Sequence, residues 1–270
     1  MKKINFIAEI GWNHMGNISL AEKMIKAASK SGADYAKFQT WRVKNLKPGP
    51  WDMDGRRKIY EKAELSKEDY YKINKICKKY KIKFLTSLFN HQDYALISKL
   101  NLKTIKIPSP ENRNKDLLKF CSQKFDKIFL STGAATINEI SRSYKLIKNK
   151  NIYLMHCVSM YPCPDKLVNL NRINKLKKIS NKIKLGLSDH SPDVFSAQLS
   201  LPFGIKIIEK HFTIDNKLPG RDNKFAILPK ELKILKDSIT RYENMNKVQN
   251  SFSAQEKEIR KIYTGRWIKH

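Results

Sequence analysis

A chain of 270 residues, 41% of them apolar, is long enough for one large domain with a substantial core, and no stretch approaches the ~20 uninterrupted apolar residues that a membrane span needs. The 54 basic residues against 25 acidic ones give a formal charge of +29, which raises nucleic acid as a partner. The bases are mostly lysines spread over many helical faces, such as Lys75, Lys78, Lys145 and Lys177, with no RGG tract, zinc finger or basic-aromatic stripe, so a solvated surface is read here and no specific nucleic acid or membrane partner is expected. The four cysteines, Cys77, Cys121, Cys157 and Cys163, form no CxxC pair and need no disulfide; Cys157 reads as core, and Cys163, in a Pro-rich loop, as an exposed thiol near a site.

In chain order, the first strand is predicted at Phe6–Ile10. Its apolar run is interrupted at Glu9, too early for a signal peptide, so a cytoplasmic protein is expected. Leu20, Met24, Ile25 and Ala28 then mark one face of a helix opened by the capping box Ser19-x-x-Glu22. A second strand, Tyr35–Thr40, leads into the longest connection, 41–66, which carries Trp41, Trp51, Asp52, Asp54, Arg56 and Arg57 and reads equally as a lid, a subunit contact or padding. Capping boxes at Ser66-x-x-Asp69 and Thr136-x-x-Glu139 start two later helices. Further strands are predicted at Phe84–Phe89, Thr104–Pro108, Ile128–Ser131, Ile152–Cys157, Lys184–Ser188 and Lys206–Phe212, and a last helix at about 230–245 after Pro229. Eight strand-helix units in a chain of this length predict an α/β fold, a closed (β/α)8 TIM barrel as a single domain over 1–250 with 251–270 as a tail or linker. An open doubly wound sheet is the alternative.

The polar residues favour the barrel, because they gather at or just past the carboxyl ends of the strands, where barrel active sites are built. Lys37 and Lys106 interrupt apolar strand ends and are expected to point inward at bound anions. Ser87, Ser109, Ser131 and Ser188 add hydroxyls from four strand ends, and together these groups describe a cradle for phosphate and carboxylate. His190 and His211 close two neighbouring strands and form half a metal site, with Glu9 and Asp189 nearby; two imidazoles with open positions suit a divalent ion such as Mn²⁺ or Mg²⁺. Glu9 is the best candidate for a general base, the alternative being a buried ion pair with one of the lysines. Glu111 and Asp222 are loop carboxylates that bind sugar hydroxyls or solvate their loops.

These residues fall in blocks. Ala8-Glu9-Ile10-Gly11-x-Asn13-His14-x-Gly16 is followed by Lys37-Phe38-Gln39-Thr40, Lys106-Ile107-Pro108-Ser109-x-Glu111, Leu130-Ser131-Thr132-Gly133, His156-Cys157-x-Ser159-x-Tyr161-Pro162, Gly186-Leu187-Ser188-Asp189-His190 and Ile208-Glu209-Lys210-His211-Phe212-Thr213. In this order, over about 5–245, they resemble the catalytic barrel of the sialic acid synthase family. The resemblance implies a transferase that joins phosphoenolpyruvate to an N-acetylated amino sugar by a C–C bond, giving a nonulosonic acid and releasing phosphate. It implies that Lys37, Ser87, Lys106, Ser109, Ser131 and Ser188 hold phosphoenolpyruvate. His190 and His211 would bind the metal, and Gln39, Glu111, Tyr161, Glu209 and Asp222 would line the sugar side. A homodimer is implied as well.

Departures from the family pattern, at Trp12, Pro110, Met160, Arg221 and Asn223, lie on the sugar side, so an acceptor other than N-acetylmannosamine, of the legionaminic or pseudaminic type, fits the pattern. Members of the family usually continue into an antifreeze-like domain that places an arginine in the partner's site. Either this sequence is cut short of that domain or the protein lacks it, and in the second case Arg221 or Arg113 is the expected substitute. Two other readings remain at this stage: a synthase for a phosphosugar acceptor, like the KDO-phosphate and DAHP synthases, and a non-catalytic basic binding protein.

Overall fold

The computed structural model describes residues 3–148, 150–247 and 252–267. Eight strands pair in parallel and in chain order, and the last returns to the first: β1 (Asn5–Gly11), β2 (Tyr35–Thr40), β3 (Lys83–Leu88), β4 (Thr104–Ile107), β5 (Lys127–Ser131), β6 (Asn151–Cys157), β7 (Lys184–Asp189) and β8 (Ile207–His211). The closed (β/α)8 barrel is therefore the fold, and the open-sheet alternative is ruled out by the β1–β8 pairing, in which Glu9 meets His211. The helices are α1 (Ile18–Lys30), α2 (Arg56–Ala63), α3 (Lys67–Lys79), α4 (Lys115–Lys124), α5 (Ile137–Ile147), α6 (Asp165–Val168), α7 (Arg172–Lys177), α8 (Phe195–Leu199), α9 (Pro229–Met245) and α10 (Ala254–Tyr263). None is long and apolar enough to cross a membrane.

Side chains alternate along each strand, and that alternation sorts the barrel into two cores. One phase, with Phe6, Ala8, Ile10, Phe38, Ile105, Ile128 and Leu154, packs outward against the helices. The other phase plugs the lumen with Ile7, Tyr35, Leu85, Phe129, Tyr153, Met155 and Ile207. Two residues further up each strand, the same inward phase reaches Glu9, Lys37, Ser87, Ser131, Cys157 and Glu209. The site is thus floored by apolar side chains and set at the carboxyl ends of the strands.

Local signals held with one exception. Ser66 and Thr136 cap α3 and α5 in full capping boxes. The box read at Ser19 does not form: Asn17 caps α1, its side chain accepting from Leu20 N, which leaves Ser19 inside the first turn. Glu22 instead accepts from Lys79 Nζ at 2.7 Å and from the Tyr80 hydroxyl at 2.9 Å. The connection 41–66 is ordered and contains α2, whose Tyr60 stacks on Trp12 with ring centroids 4.6 Å apart and meets Trp41 edge-on at 5.4 Å. It therefore closes down over the end of β1. Cys163 is not an exposed thiol; it is buried, its backbone N–H donating to the His190 carbonyl at 2.8 Å. In the expected tail, α10 has no buried residue, and positions 251 and 268–270 lie outside the described residues.

The turn from β1 to α1 holds a buried histidine. His14 Nδ1 accepts from the Gly16 N–H at 3.0 Å, and at Gly16 a Cβ would stand 2.3 Å from the Lys62 carbonyl oxygen. Burial pulls the His14 pKa down from 6.5 to about 4. Between those two pH values the unfolded chain binds a proton that the folded chain refuses, so stability is full above pH 6.5 and falls as the pH drops towards 4. His14→Asn keeps an acceptor for Gly16 but cannot titrate. Guanidinium unfolding is expected to show that the stability lost between neutral pH and pH ~4.5 is smaller in the variant by about 2–3 kcal/mol; an unchanged loss would place the acid sensitivity elsewhere.

Candidate active site

Four charged side chains meet above the apolar floor. Lys37 Nζ lies 2.7 Å from Glu9 Oε2 and 3.8 Å from Glu209 Oε1, and Lys106 Nζ lies 2.8 Å from Glu209 Oε1. All four are buried. Lys37 also donates to Ser87 Oγ at 2.8 Å, Ser188 Oγ donates to Glu209 Oε1 at 3.0 Å, and Gln39 Nε2 donates to Glu9 Oε1 at 2.8 Å. The lysines do point inward, but they are not free cations: each is matched by a glutamate, and the ion pair foreseen as the alternative for Glu9 is present. Glu209, expected beside the sugar, belongs to this lysine network.

The two carboxylates are not equivalent. Burial works against charge on Glu209, yet Lys106 and Lys37 outweigh it and hold the pKa at about 2. Burial also acts on Glu9 and there prevails over Lys37, so that its pKa is raised. Glu209 Oε2 is buried without a hydrogen bond, and a buried polar atom of that kind calls for a partner, whereas Glu9 Oε2 has the Lys37 ammonium at 2.7 Å. Burial lowers the Lys106 pKa, with Glu209 opposing.

Beside the quartet, Ser109 Oγ accepts from the Gly133 N–H at 3.1 Å and donates to Cys157 Sγ at 3.3 Å. Gly133 is fixed in turn by Asn112 Nδ2, which donates to its carbonyl at 2.9 Å. A Cβ on Gly133 would stand 2.3 Å from Ser159 Oγ and 2.7 Å from Ser109 Oγ. Gly133→Ala is therefore expected to force Ser109 aside and to cost about 1–3 kcal/mol, measured by urea unfolding; a variant as stable as the parent would mean that the loop yields freely. Ser131 is buried at the end of β5 on the inward phase.

The histidines form the upper edge. The ring centroids of His190 and His211 are 5.5 Å apart, and the Tyr161 ring lies 4.0 Å from His190 and 5.7 Å from His211. His190 Nδ1 donates to the Val158 carbonyl at 2.7 Å, which leaves Nε2 with its lone pair. His211 Nδ1 has no hydrogen-bond partner among the described residues, and burial, with His190 next, keeps this imidazole neutral by lowering its pKa well below 6.5. Asp222 Oδ2 stands 3.5 Å from His211 Nδ1 and accepts from Trp12 Nε1. Burial raises the Asp222 pKa to about 6 against the Trp12 bond.

These donors fit a divalent ion with two protein ligands and open positions. Among the described residues no three or more of His, Cys, Asp and Glu are arranged to hold a metal ion together, so a closed structural centre is not formed there. Burial disfavours a proton on His190 but Cys157 beside it favours one, so that its pKa is raised and a cation there competes with a proton.

Several expected neighbours lie elsewhere. Asp189 is turned away from the histidines: its Oδ2 accepts from Lys210 Nζ at 2.7 Å and from Ser196 Oγ at 2.6 Å. Strand alternation is the reason, since Ser188 on β7 and Glu209 on β8 point inward and the next residue of each must point out. His156 is out of phase in the same way and bonds the Val168 carbonyl at 2.7 Å. Glu111 is half-buried in the turn after β4, accepting from Asn114 Nδ2 at 2.8 Å, and does not bond the quartet or the histidines. Arg113 is exposed and pairs with Glu139 at 3.0 Å. Arg221 is exposed at a cavity of about 520 Å³ that it shares with Asp54, Arg56, Ile59 and Lys224. Two participants were missed: Cys157, legible from the alternation Tyr153, Met155, Cys157, and the indole of Trp12, for which no local signal exists.

A barrel with buried lysine-glutamate pairs and two histidines at its carboxyl mouth has the layout of an enzyme for anionic substrates. Comparison with known proteins gives the family. The NeuB family model matches residues 24–251. The chain is 34% identical over 293 residues to the N,N'-diacetyllegionaminic acid synthase of Campylobacter jejuni, covering 97% of this chain and 87% of that protein. It is 31% identical to the N-acetylneuraminate-9-phosphate synthase of Drosophila melanogaster, covering 89% and 68%. Among solved structures, the N-acetylneuraminic acid synthetase of Leptospira borgpetersenii in complex with citrate superposes with a TM-score of 0.88 at 28% identity, covering 97% of this chain and 93% of that one. This chain belongs to the NeuB family.

Proposed function

We propose that this chain is a phosphoenolpyruvate-dependent nonulosonic acid synthase, which condenses phosphoenolpyruvate with an N-acetylated amino sugar, takes up water and releases phosphate. Family membership supports the reaction class. The observation in this chain that carries the assignment is the buried Glu9–Lys37–Glu209–Lys106 quartet set directly beneath His190 and His211.

In this reading Lys37 and Lys106 hold the phosphate and carboxylate of phosphoenolpyruvate, with Ser87, Ser109, Ser131 and Ser188 as neutral partners. Fixed charges in a dry site stabilise developing charge with little reorganisation. As C3 of the enol attacks the open-chain aldehyde carbon of the sugar, positive charge grows at C2 and water adds there. Glu9, anchored by Gln39 and Lys37, accepts one proton of that water and passes it to the sugar oxygen, which becomes a hydroxyl, while the second proton leaves with the phosphate. The tetrahedral product then breaks its C–O bond and phosphate leaves. His190 and His211 would hold a divalent ion, Mn²⁺ or Mg²⁺, which would supply Lewis acidity at the sugar carbonyl. Tyr161, Glu111 and Asp222 line the acceptor side. The reading places the catalytic unit in residues 1–250, as a homodimer in the cytoplasm.

Phosphate release from phosphoenolpyruvate and Mn²⁺ tests this with N-acetylmannosamine, diacetamido sugars of the legionaminic and pseudaminic type, and N-acetylmannosamine 6-phosphate. No release with any of them from a folded sample would overturn the reading. The phosphorylated sugar is the second reading, favoured by Arg221 and Lys224 at the cavity next to Asp222.

A further inference from the structure

The opposite mouth of the barrel carries a polar cluster that the proposed reaction does not use. The inward phase of the strands begins there with Tyr35 on β2, Lys83 on β3, Lys127 on β5 and Lys184 on β7, and Tyr153 lies one step inside Asn151 on β6. Register pairs Tyr35 with Lys83, Lys127 with Asn151 and Tyr153 with Lys184. Lys83 Nζ lies 5.5 Å from the centre of the Tyr35 ring, and Lys184 Nζ 5.2 Å from that of Tyr153. The Phe129 ring joins the two phenols, 6.1 Å from Tyr35 and 4.9 Å from Tyr153, and closes the floor between this mouth and the quartet.

Two observations point to a ligand. First, Tyr35 and Tyr153 have buried rings, and their hydroxyls open to solvent at this mouth with no partner among the described residues, whereas those of Tyr70 and Tyr144 donate to the Gln39 carbonyl and to Ser180 Oγ. Second, three ammonium groups converge here, and none has a carboxylate within ion-pair distance among the described residues. Asp34, the carboxylate next to Tyr35, is taken by Lys3 and Lys236 at 3.3 and 3.2 Å. Burial, and then the charges of Lys83 and Lys184, lower the proton affinity of Lys127. Lys127 and Lys184 are half-buried on inward positions of a closed ring, Lys83 stands exposed at its rim, and Lys184 Nζ also donates to Asn151 Oδ1 at 2.6 Å.

We propose that this mouth binds a phosphate group, free or at the head of a phosphate ester, held by Lys83, Lys127 and Lys184 with the hydroxyls of Tyr35 and Tyr153 as further donors. A phosphate offers enough acceptor oxygens for all five groups and relieves the repulsion among the cations. The site is separate from the one that takes phosphoenolpyruvate and stands whether or not that assignment holds.

Isothermal titration of the whole chain with inorganic phosphate, and in parallel with glycerol 3-phosphate, tests it in the Lys106→Met/Glu209→Gln background, which removes a charged donor from the carboxyl mouth. One phosphate site that this background retains is expected, and the tighter of the two probes identifies the physiological form. Replacing Lys83, Lys127 and Lys184 together by alanine should weaken that site at least about tenfold, raise thermal stability in phosphate-free buffer and leave turnover within about twofold. Lys127→Gln alone should show the same direction in binding. A control that removes the same charge from helix faces, Lys75, Lys78 and Lys175 to alanine, should leave the site intact. Absence of the retained site, or equal losses in the control and the test variants, overturns the proposal.

Discussion

Lys106→Met is expected to abolish turnover and to destabilise the barrel, and adding Glu209→Gln is expected to restore the stability without the turnover. Lys106 Nζ is buried 2.8 Å from Glu209 Oε1, and that carboxylate owes its low pKa of about 2 first to Lys106, against burial. Removing the lysine leaves a buried charge with only Lys37 at 3.8 Å to balance it. Breaking such a pair from one side costs about 3–5 kcal/mol, whereas neutralising both members costs much less. Chemical denaturation should show the loss and its recovery. Activity should behave differently, because the lysine has a second task in the proposed reaction. Loss of one charged donor to a developing anion lowers kcat by about 10²–10³, and the double variant still lacks that donor. Recovery of turnover together with stability would reduce Lys106 to a structural residue and remove it from the proposed anion site.

His211→Ala is expected to remove both bound metal and metal-dependent turnover. The ring sits 5.5 Å from His190, is kept neutral by burial, and has an Nδ1 without a partner among the described residues. Titration of Mn²⁺ followed by its electron paramagnetic resonance should show free ion where the parent binds it, and turnover should fall by a factor on the order of 10³, the several kcal/mol that a Lewis acid contributes. His156→Gln is the matching control. That histidine closes the neighbouring strand in the sequence but faces outward to Val168, so the metal titration should be unchanged. Equal losses in both variants, or retained metal in His211→Ala, would sink the assignment of the metal to the paired imidazoles.

The structural outcomes around β7 and β8 show where the reading of the chain succeeded and where it stopped. His190 and His211 were recognisable because each follows an apolar run that ends in polar residues, and neighbouring strands of a barrel must bring their ends together. Asp189 was drawn towards them by its position in the chain alone. Period-two alternation, applied strictly, turns it to the other face, where it meets Lys210, Ser191 and Ser196. The same rule turns His156 outward and Cys157 inward. The error at α1 was of another kind: Ser19 and Glu22 spell a capping box, but Asn17 reaches the cap first and the box falls inside the helix.

The sequence by itself determined the number and order of the strands, the carboxyl mouth as the place where lysines, serines and histidines gather, and the family. Those properties are written in local patterns: apolar runs, their alternation, and short motifs in register. Only the tertiary structure decided that the lysines are neutralised by glutamates, that Trp12 anchors Asp222 beside His211, and that three lysines crowd an aromatic floor at the far mouth. Lys106 and Glu209 are 103 residues apart, and Trp12 and Asp222 are 210 apart. No local pattern encodes such partners, because they meet only when the sheet closes and its stagger sets which inward side chains share a level.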